Sequence, residues 1–325
     1  MKTSTIGMAC LASLFATIVN GQASAQASWP TRPVRVITPQ PPGSGIDLSC
    51  RFFAQKLSLI WNQPVVVENR PGADGVTGVG AFANSGNDHT LLCSFGGPIT
   101  ISPFTAQAKL PYDPTVDLKP ISLIADFVQT FAVSKTTGIT SLEELKQKIR
   151  AEPGKLNWSA TQGLPAMLFG AFLRSNKLDM AYVPYAALGP ALQDVGQGRI
   201  QAYATSFASL SPLLESGQAT VVAVLNGERA PQLPNVPTAK ELGMPELTVV
   251  SFCGYFAPKE FSAAQIQAIA TDIAAAAKDP EFAEKFGKMG SVVRTSSPAE
   301  FAQVIAEQRA TVEAILKATG GLKAP

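Results

Sequence analysis

The sequence is poor in the side chains that most often carry catalysis or bind metals. It contains one histidine and four cysteines in 325 residues. The histidine, His89, lies in a predicted strand, where a hydrogen-bonded structural role is commoner than that of a catalytic base. No CxxC pair, Walker loop, HExxH or GxSxG motif occurs. We therefore do not expect an enzyme, and we expect neither a cofactor nor a bound metal.

Long hydrophobic runs and an excess of one charge are also missing. The formal net charge is +2, so nothing favours a nucleic acid or an anionic membrane surface as partner. The apolar stretch 6–19 is too short to span a bilayer. It follows Lys2 and precedes Ala23-Ser24-Ala25, a small-residue pattern typical of cleavage sites. These features predict a signal peptide over residues 1–25, cleaved near Ala25, and an exported, soluble protein. Cys10 lies within the apolar stretch and not at its end, which argues against lipidation.

Three cysteines follow the predicted signal peptide: Cys50, Cys93 and Cys253. In an oxidising compartment these can form at most one disulfide, and one thiol must remain. The spacing does not say whether any pair forms. Buried apolar cysteines are the simpler interpretation, because free cysteine is among the most buried residue types.

The segment 39–51, PQPPGSGIDLSCR, joins a β-branched run at 34–38 to a helical pattern that continues to residue 61. The glycines Gly43 and Gly45 leave this turn without Cβ atoms, so a ligand can approach the backbone. The N-terminus of the following helix offers N–H groups to a carboxylate or phosphate. Asp47 either supports its helix or contacts a ligand. An ordinary βα turn is the alternative interpretation of the whole segment.

Strand and helix patterns alternate along the rest of the chain. Strands are predicted at 64–70, 89–95, 127–134, 155–161 and 248–258, among others. A β-α-β-α-β succession implies a parallel sheet whose loops gather at the carboxyl ends of the strands. Three serine pairs predict capped helix starts: Ser141 with Glu144, Ser262 with Gln265, and Ser297 with Glu300.

Several segments resemble the tripartite tricarboxylate transporter substrate-binding family, also called Bug receptors. They include QPVVVENRPGADGVTG, KLPYDP, VPYAALGPAL and LPNVPTAKELG, and the resemblance extends in order from Trp29 to the C-terminus. It implies an α/β, two-lobed periplasmic binding protein fold with parallel-type sheets and crossover strands between the lobes. Residues 26–126 and 252–325 would form lobe 1, and residues 127–251 lobe 2.

The resemblance also implies a function. A receptor of this kind captures a small organic carboxylate between its lobes, closes about the crossing strands, and delivers the ligand to a two-component membrane permease. We expect it to act as a monomer. A sensor that presents its ligand to a membrane kinase is an alternative function. An enzyme built on a binding-protein scaffold is another, since a fold does not fix a function.

The family's ligand loops can be carried over onto this sequence one residue at a time. Ile46 replaces a threonine hydroxyl and Pro165 removes a backbone N–H group, so the family's way of holding a carboxylate is altered here. The predicted ligand-binding residues are Gly43, Ser44, Gly45, Ile46, Asp47, Ser94, Phe95, Gly96, Thr161, Gln162, Gly163, Leu164, Tyr185, Thr205, Ser206 and Phe252.

Large apolar residues lie at or beside positions where relatives carry polar or smaller ones: Phe95, Leu164, Met167, Leu188, Phe207 and Phe252. If these line the cleft, the ligand is an acid with one ionised end and an aromatic or extended aliphatic body, because burying apolar ligand surface against apolar side chains is favourable. The alternative is that they point into the cores of the lobes, where large apolar residues usually lie.

Overall fold

The computed structural model describes residues 29–86, 88–161, 163–185 and 187–319. The predicted signal peptide and Gln162 lie outside the described residues. Among the residues that are described, no helix is both long and apolar enough to cross a membrane.

The described strands are, in chain order, β1 Val34–Thr38, β2 Val65–Asn69, β3 Thr90–Phe95, β4 Leu118–Phe127, β5 Gln129–Ser134, β6 Asn157–Ala160, β7 Ala181–Tyr182, β8 Ala202–Ser206, β9 Ala219–Val224, β10 Phe252–Pro258 and β11 Ser291–Val293. The helices are α1 Gly45–Trp61, α2 Val76–Ala83, α3 Ser102–Thr105, α4 Leu142–Ala151, α5 Leu164–Ser175, α6 Leu188–Gly196, α7 Phe207–Glu215, α8 Ala263–Ala276, α9 Pro280–Lys288 and α10 Pro298–Thr319.

The strands form two sheets. The six-stranded sheet has the order β11-β4-β10-β3-β1-β2, and the five-stranded sheet has the order β7-β6-β8-β5-β9. The βαβ segments pair in parallel, as predicted: β1 with β2 and β3, and β6 with β7 and β8. The strands beside the crossings pair antiparallel, because β4, β5 and β10 belong to chain segments that run from one sheet to the other. Each sheet is therefore mixed, with a parallel part that carries the βα loops.

The predicted helix starts are largely confirmed. The reciprocal hydrogen bonds of a capping box form at two of them, Ser262 with Gln265 and Ser297 with Glu300. Ser141 caps α4, but the carboxylate of Glu144 accepts the N–H of Thr140 at 2.7 Å and not that of Ser141. Predicted strand ends differ by a few residues: β3 begins just after His89, and residues 248–251 precede β10. His89 is buried, and its Nε2 accepts the N–H of Thr31 at 3.1 Å, which supports a structural role.

Helices cover both faces of each sheet. In the six-stranded sheet, α1, α8 and α9 pack on one face, and α2 and the start of α10 pack on the other. In the five-stranded sheet, α4 and α5 cover one face, and α6 and α7 cover the other. Helix α10 joins both cores, since Phe301 packs with the six-stranded sheet whereas Val312 and Ile315 pack with the five-stranded sheet.

The interpretation of all three cysteines as simple buried apolar residues is wrong, because two of them form a disulfide. Cys50 of α1 and Cys93 of β3 form a disulfide with their Cα atoms 6.0 Å apart, because α1 packs across β3 within disulfide reach. Cys253 of β10 is a buried free thiol, with its Sγ 3.8 Å from that of Cys93. Within the described part of the chain these cysteines are also the one group of three potential metal ligands, and the disulfide occupies two of them.

The disulfide should contribute measurably to stability. Replacing both Cys50 and Cys93 with alanine is expected to lower the free energy of unfolding by about 2–4 kcal/mol. The disulfide joins residues 43 positions apart and so reduces the conformational entropy of the unfolded chain. Both must change, since a single Cys50 variant would leave Cys93 beside Cys253. Denaturant titration with and without a reductant measures the effect, and Cys253→Ala, which keeps the disulfide, is the control. A wild-type protein whose stability is indifferent to the reductant would contradict the pairing.

Candidate functional site

The carboxyl ends of the parallel strands in both sheets lie at the level where the chain crosses. Phe95, at the end of β3, pairs with Cys253 at the start of β10. Ser206, at the end of β8, pairs with Gln129, which begins β5 directly after the first crossing. We call residues 126–129 and 225–252 the crossing segments. The predicted ligand loops thus approach the crossing segments from opposite sides, the usual place for a ligand in α/β folds.

The loop before α1 is held in shape by Asp47. Its Oδ2 accepts the N–H of Gly43 at 2.8 Å, and its Oδ1 accepts Nδ2 of Asn69 at 2.7 Å. Nε of Arg51 lies 3.0 Å from Oδ1, and the Asp47 side chain is only 2% exposed. Burial alone would raise the pKa of Asp47, but the hydrogen bonds from Arg51, Gly43 and Asn69 hold that pKa below its usual value. Asp47 therefore supports the loop, and both of its oxygens are engaged.

The first turn of α1 leaves two backbone donors open. Ser44 is the N-cap, and its Oγ accepts the N–H of Asp47 at 3.2 Å. No described residue accepts the N–H groups of Gly45 and Ile46, which have no partner within a helix by geometry. Gly43 has φ +81°, a left-handed conformation that favours glycine. The loop can therefore donate two N–H groups to an anion, and the 17-residue helix behind them favours negative charge there.

The loop after β3 is mostly apolar and closely packed. Ser94 is fully buried, and its Oγ donates to the carbonyl of Phe95 at 3.1 Å. The Phe95 ring is half-buried and lies against Gly97, where an added Cβ would come within 2.6 Å of it. Gly96 packs against Phe252 in the same way, with 3.2 Å between its ideal Cβ and the ring. This loop offers an apolar edge and few free polar groups.

The loop after β6 lies at the start of α5. Oγ1 of Thr161 is 3.5 Å from Oγ1 of Thr205, which is itself fully buried. Gly163 has φ +85° with open space around it, so a ligand can approach its backbone. Leu164 begins the helix with its side chain in the core, and Pro165 supplies no N–H group.

The remaining polar candidates of the five-stranded sheet already have partners. The Tyr185 hydroxyl donates to Oδ2 of Asp194 at 2.5 Å, and Asp194 is paired with Arg199. Partial burial, together with the neighbouring Asp194 carboxylate, raises the pKa of Tyr185 to about 12. Ser206 is the N-cap of α7, where its Oγ accepts the N–H of Ser209. These two predicted side chains of the five-stranded sheet are therefore engaged, whereas no described residue accepts the backbone N–H groups of Leu164 and Ala166 at the start of α5.

The six apolar residues proposed for the cleft wall divide into two groups. Leu164, Met167 and Phe252 are buried in the cores; Phe252 is 1% exposed and packs edge-on against Phe301. Phe95, Leu188 and Phe207 stay partly exposed. Sequence reasoning missed Phe127, which is half-buried beside Gly45, and the supporting pair Arg51 and Asn69. The i,i+4 spacing of Asp47 and Arg51 was the signal that could have found Arg51.

A single carboxylate ties the crossing segments together. Oδ1 of Asp126 accepts both Nδ2 of Asn226 and the N–H of Ser251 at 2.9 Å. Oδ1 of Asn226 accepts the N–H of Gln129 at 2.8 Å, and Nη1 of Arg294 lies 3.7 Å from the other Asp126 oxygen. Burial raises the pKa of Asp126 to about 6, and the hydrogen bond from Asn226 and the charge of Arg294 only partly oppose that shift.

A cavity of about 480 Å³ lies next to this carboxylate. Its walls come from the crossing segments, β11 and α10, and include Asp126, Arg294 and Glu307. None of the predicted ligand-binding residues lines it. The predicted ligand loops therefore lie outside the lining of this cavity.

The comparisons with known proteins agree with the geometry. Residues 50–321 match the sequence model of the tripartite tricarboxylate transporter family receptor. A UPF0065 protein from the tcbD-tcbE intergenic region of Pseudomonas sp. (strain P51) is 30% identical over 275 residues, 83% of this chain and 81% of that protein. Protein BugT of Bordetella pertussis is 28% identical over 297 residues, 90% of this chain and 91% of that protein.

Among solved structures, R. palustris Rpa4515 with adipate is similar over 90% of this chain and 98% of that chain. The TM-score is 0.75 and the sequence identity 25%. This agreement, together with the match to a periplasmic transporter structure, confirms the predicted two-lobed α/β fold of a periplasmic binding protein.

Asp126 should make stability depend on pH in a defined direction. Its pKa in the folded protein, about 6, exceeds the ordinary value of 3.8, so burying the ionised form costs about 3 kcal/mol above pH 6, and this cost disappears as the pH falls towards 4. Asp126→Asn keeps the acceptor oxygen and removes the charge. It should therefore be at least as stable as wild type at pH 7.5, with its advantage shrinking at pH 5.

The matched variant Asp126→Ala should lose about 1–3 kcal/mol at pH 5, because it leaves the N–H of Ser251 and the amide of Asn226 without their acceptor. Denaturant titrations at pH 5 and pH 7.5 measure both variants. An Asp126→Asn protein that is destabilised equally at the two pH values would contradict the role assigned to this carboxyl group.

Proposed function

Because the chain belongs to the tripartite tricarboxylate transporter receptor family, we propose that it captures a small organic carboxylate between its lobes and delivers it to a two-component membrane permease. Receptors of this family are periplasmic substrate-binding proteins and not enzymes. The observation that carries the proposal is the pair of uncommitted N–H groups of Gly45 and Ile46 at the start of α1, held in place by Asp47.

In this proposal residues 26–126 and 252–325 form lobe 1, and residues 127–251 form lobe 2. The boundaries follow the two crossing segments, since β4 and β10 belong to the six-stranded sheet and β5 to β9 belong to the other. The lobes close on the ligand about these segments. The predicted signal peptide over residues 1–25 directs export.

The ligand in this proposal has one ionised end. Lobe 1 offers two free N–H groups, whereas two of the side-chain donors predicted for lobe 2 are already engaged: Tyr185 donates to Asp194, and Ser206 caps α7. A second carboxylate would lack these two donors, and a carboxylate that leaves water without compensating hydrogen bonds costs several kcal/mol. The partly exposed side chains of Phe95, Leu188 and Phe207 favour an aromatic or extended aliphatic body. The adipate of the similar structure shares the extended carbon chain of the proposed ligand but has two ionised ends.

The first test is at Gly45. Replacing it with valine should lower affinity for the carboxylate at least about tenfold, since branched methyl groups would cover the free N–H groups. The added Cβ would lie 3.3 Å from a ring edge of Phe127, a tight contact; the fold should persist, because a shift of a few tenths of an ångström in this half-buried ring relieves it. Gly287→Val is the matched control, since Gly287 lies in α9 with open space around it. Calorimetric titration measures the carboxylate affinity of both variants. If Gly45→Val binds the carboxylate with wild-type affinity, this loop is not part of the binding site.

The second test compares ligand classes. Benzoate, phenylacetate, hexanoate and octanoate should raise the melting temperature of the protein more than malate, succinate, citrate, aspartate or glutamate at equal concentration, because a ligand stabilises the state that it binds. Adipate, with two ionised ends on an extended chain, separates the effect of chain length from that of charge. Tight binding confined to the small polar acids would contradict the one-ended ligand, while leaving carboxylate capture intact.

A further inference from the structure

We infer that Phe127 is a specificity-determining residue of the carboxylate site, whose ring contacts the body of the ligand next to its ionised end. The inference rests on the proposed function, because it takes the N–H groups of Gly45 and Ile46 as the anion site. It assigns the selecting role to a residue of the crossing segments, where sequence reasoning had nominated Phe252.

The Phe127 ring lies directly against the start of α1. An ideal Cβ built on Gly45 would be 3.3 Å from Cε1 of Phe127 and 3.9 Å from Cζ. Gly45 is the first residue of α1 and carries one of the two free N–H groups. The ring edge and the anion-binding donors therefore meet at the same residue, and no side chain lies between them because that residue is glycine.

The backbone holds Phe127 firmly in place. Its N–H donates to the carbonyl of Ser251 at 2.9 Å, and its carbonyl accepts Nδ2 of Asn226 at 3.1 Å. Phe127 also pairs with Ser291 of β11. The second crossing segment and an edge strand thus fix the backbone of this residue, which limits the conformational freedom that it can lose on binding.

Burial separates Phe127 from the other aromatic candidate at the crossing. Phe252 is 1% exposed and its ring packs on Phe301. Phe127 and Ile46 are only half-buried, and both pack at the rim of the same core cluster beneath α1. An apolar surface that is still accessible therefore borders the free N–H groups, on the lobe that donates them.

This arrangement favours some acids over others. A carboxylate on the N–H groups of Gly45 and Ile46 would place its carbon skeleton close to the Phe127 ring. An aromatic ring or methylene chain gains from contact with an aromatic surface. A second carboxylate at the same place would lose water without gaining a donor. Phe127 thus selects for an apolar group next to the ionised end.

The test is calorimetric titration of wild type, Phe127→Ala and Phe127→Leu with benzoate, hexanoate and acetate. Phe127→Ala should bind benzoate and hexanoate at least about tenfold more weakly, a difference of about 1.4 kcal/mol. Its affinity for acetate should stay within about twofold, because acetate has almost no body to contact the ring. Phe127→Leu keeps an apolar side chain of similar size and should therefore fold normally. It should restore the affinity for hexanoate more than the affinity for benzoate.

Phe104→Ala is the matched control. Phe104 is a half-exposed phenylalanine on α3 with the guanidinium of Arg309 above its ring, and it has no contact with Gly45. Its loss should leave all three affinities unchanged. Equal weakening of acetate and benzoate in Phe127→Ala, or no weakening of either, would overturn the role of Phe127 while carboxylate capture stands. A wild-type protein that binds no carboxylate at all would overturn the proposed function and this inference together.

Discussion

The whole molecule depends on how two chain segments pass between the sheets without leaving buried polar groups unpaired. The crossing segments leave regular strand pairing just where the two sheets meet, so their backbone groups need other partners. Asp126 and Asn226 supply these partners, since their side chains bind the N–H of Ser251, the N–H of Gln129 and the carbonyl of Phe127. Two polar side chains thereby complete the pairing at the crossing, beside backbone hydrogen bonds such as that from the N–H of Phe127 to the carbonyl of Ser251.

The need to pair buried polar groups also shapes the loop before α1. A buried carboxylate at Asp47 is stable because Arg51, Asn69 and the N–H of Gly43 surround it. That carboxylate faces inward and shapes the turn, while the N–H groups of the next helical turn stay open. The Asp47 carboxylate thus shapes the loop that we propose as the anion site, and the proposed ligand would use other donors than Asp47 does.

The fold was largely predictable from the sequence, and the site much less so. The alternation of strands and helices and the capping serines are local signals, so β1 to β3 and α8 could be placed from the chain alone. The orientation of Phe252 could not be predicted from the sequence. Strand β10 is buried on both faces, so the spacing of its apolar residues does not indicate which face meets the cleft. The disulfide depends on how α1 crosses β3, a tertiary fact that spacing does not contain. Phe127 was missed because the contact on which its proposed role rests is with a glycine 82 positions away in the chain.

Helix α10 limits the kind of motion that the two lobes can make. Its first turn is anchored in one hydrophobic core through Phe301, and its last turns are anchored in the other through Val312 and Ile315. A free rotation about the crossing segments would pull one end of this rigid rod out of its core and expose apolar side chains to water. The proposed closure about the crossing segments must therefore keep both ends of α10 in their cores. In that motion the helix would limit how far the cleft can open.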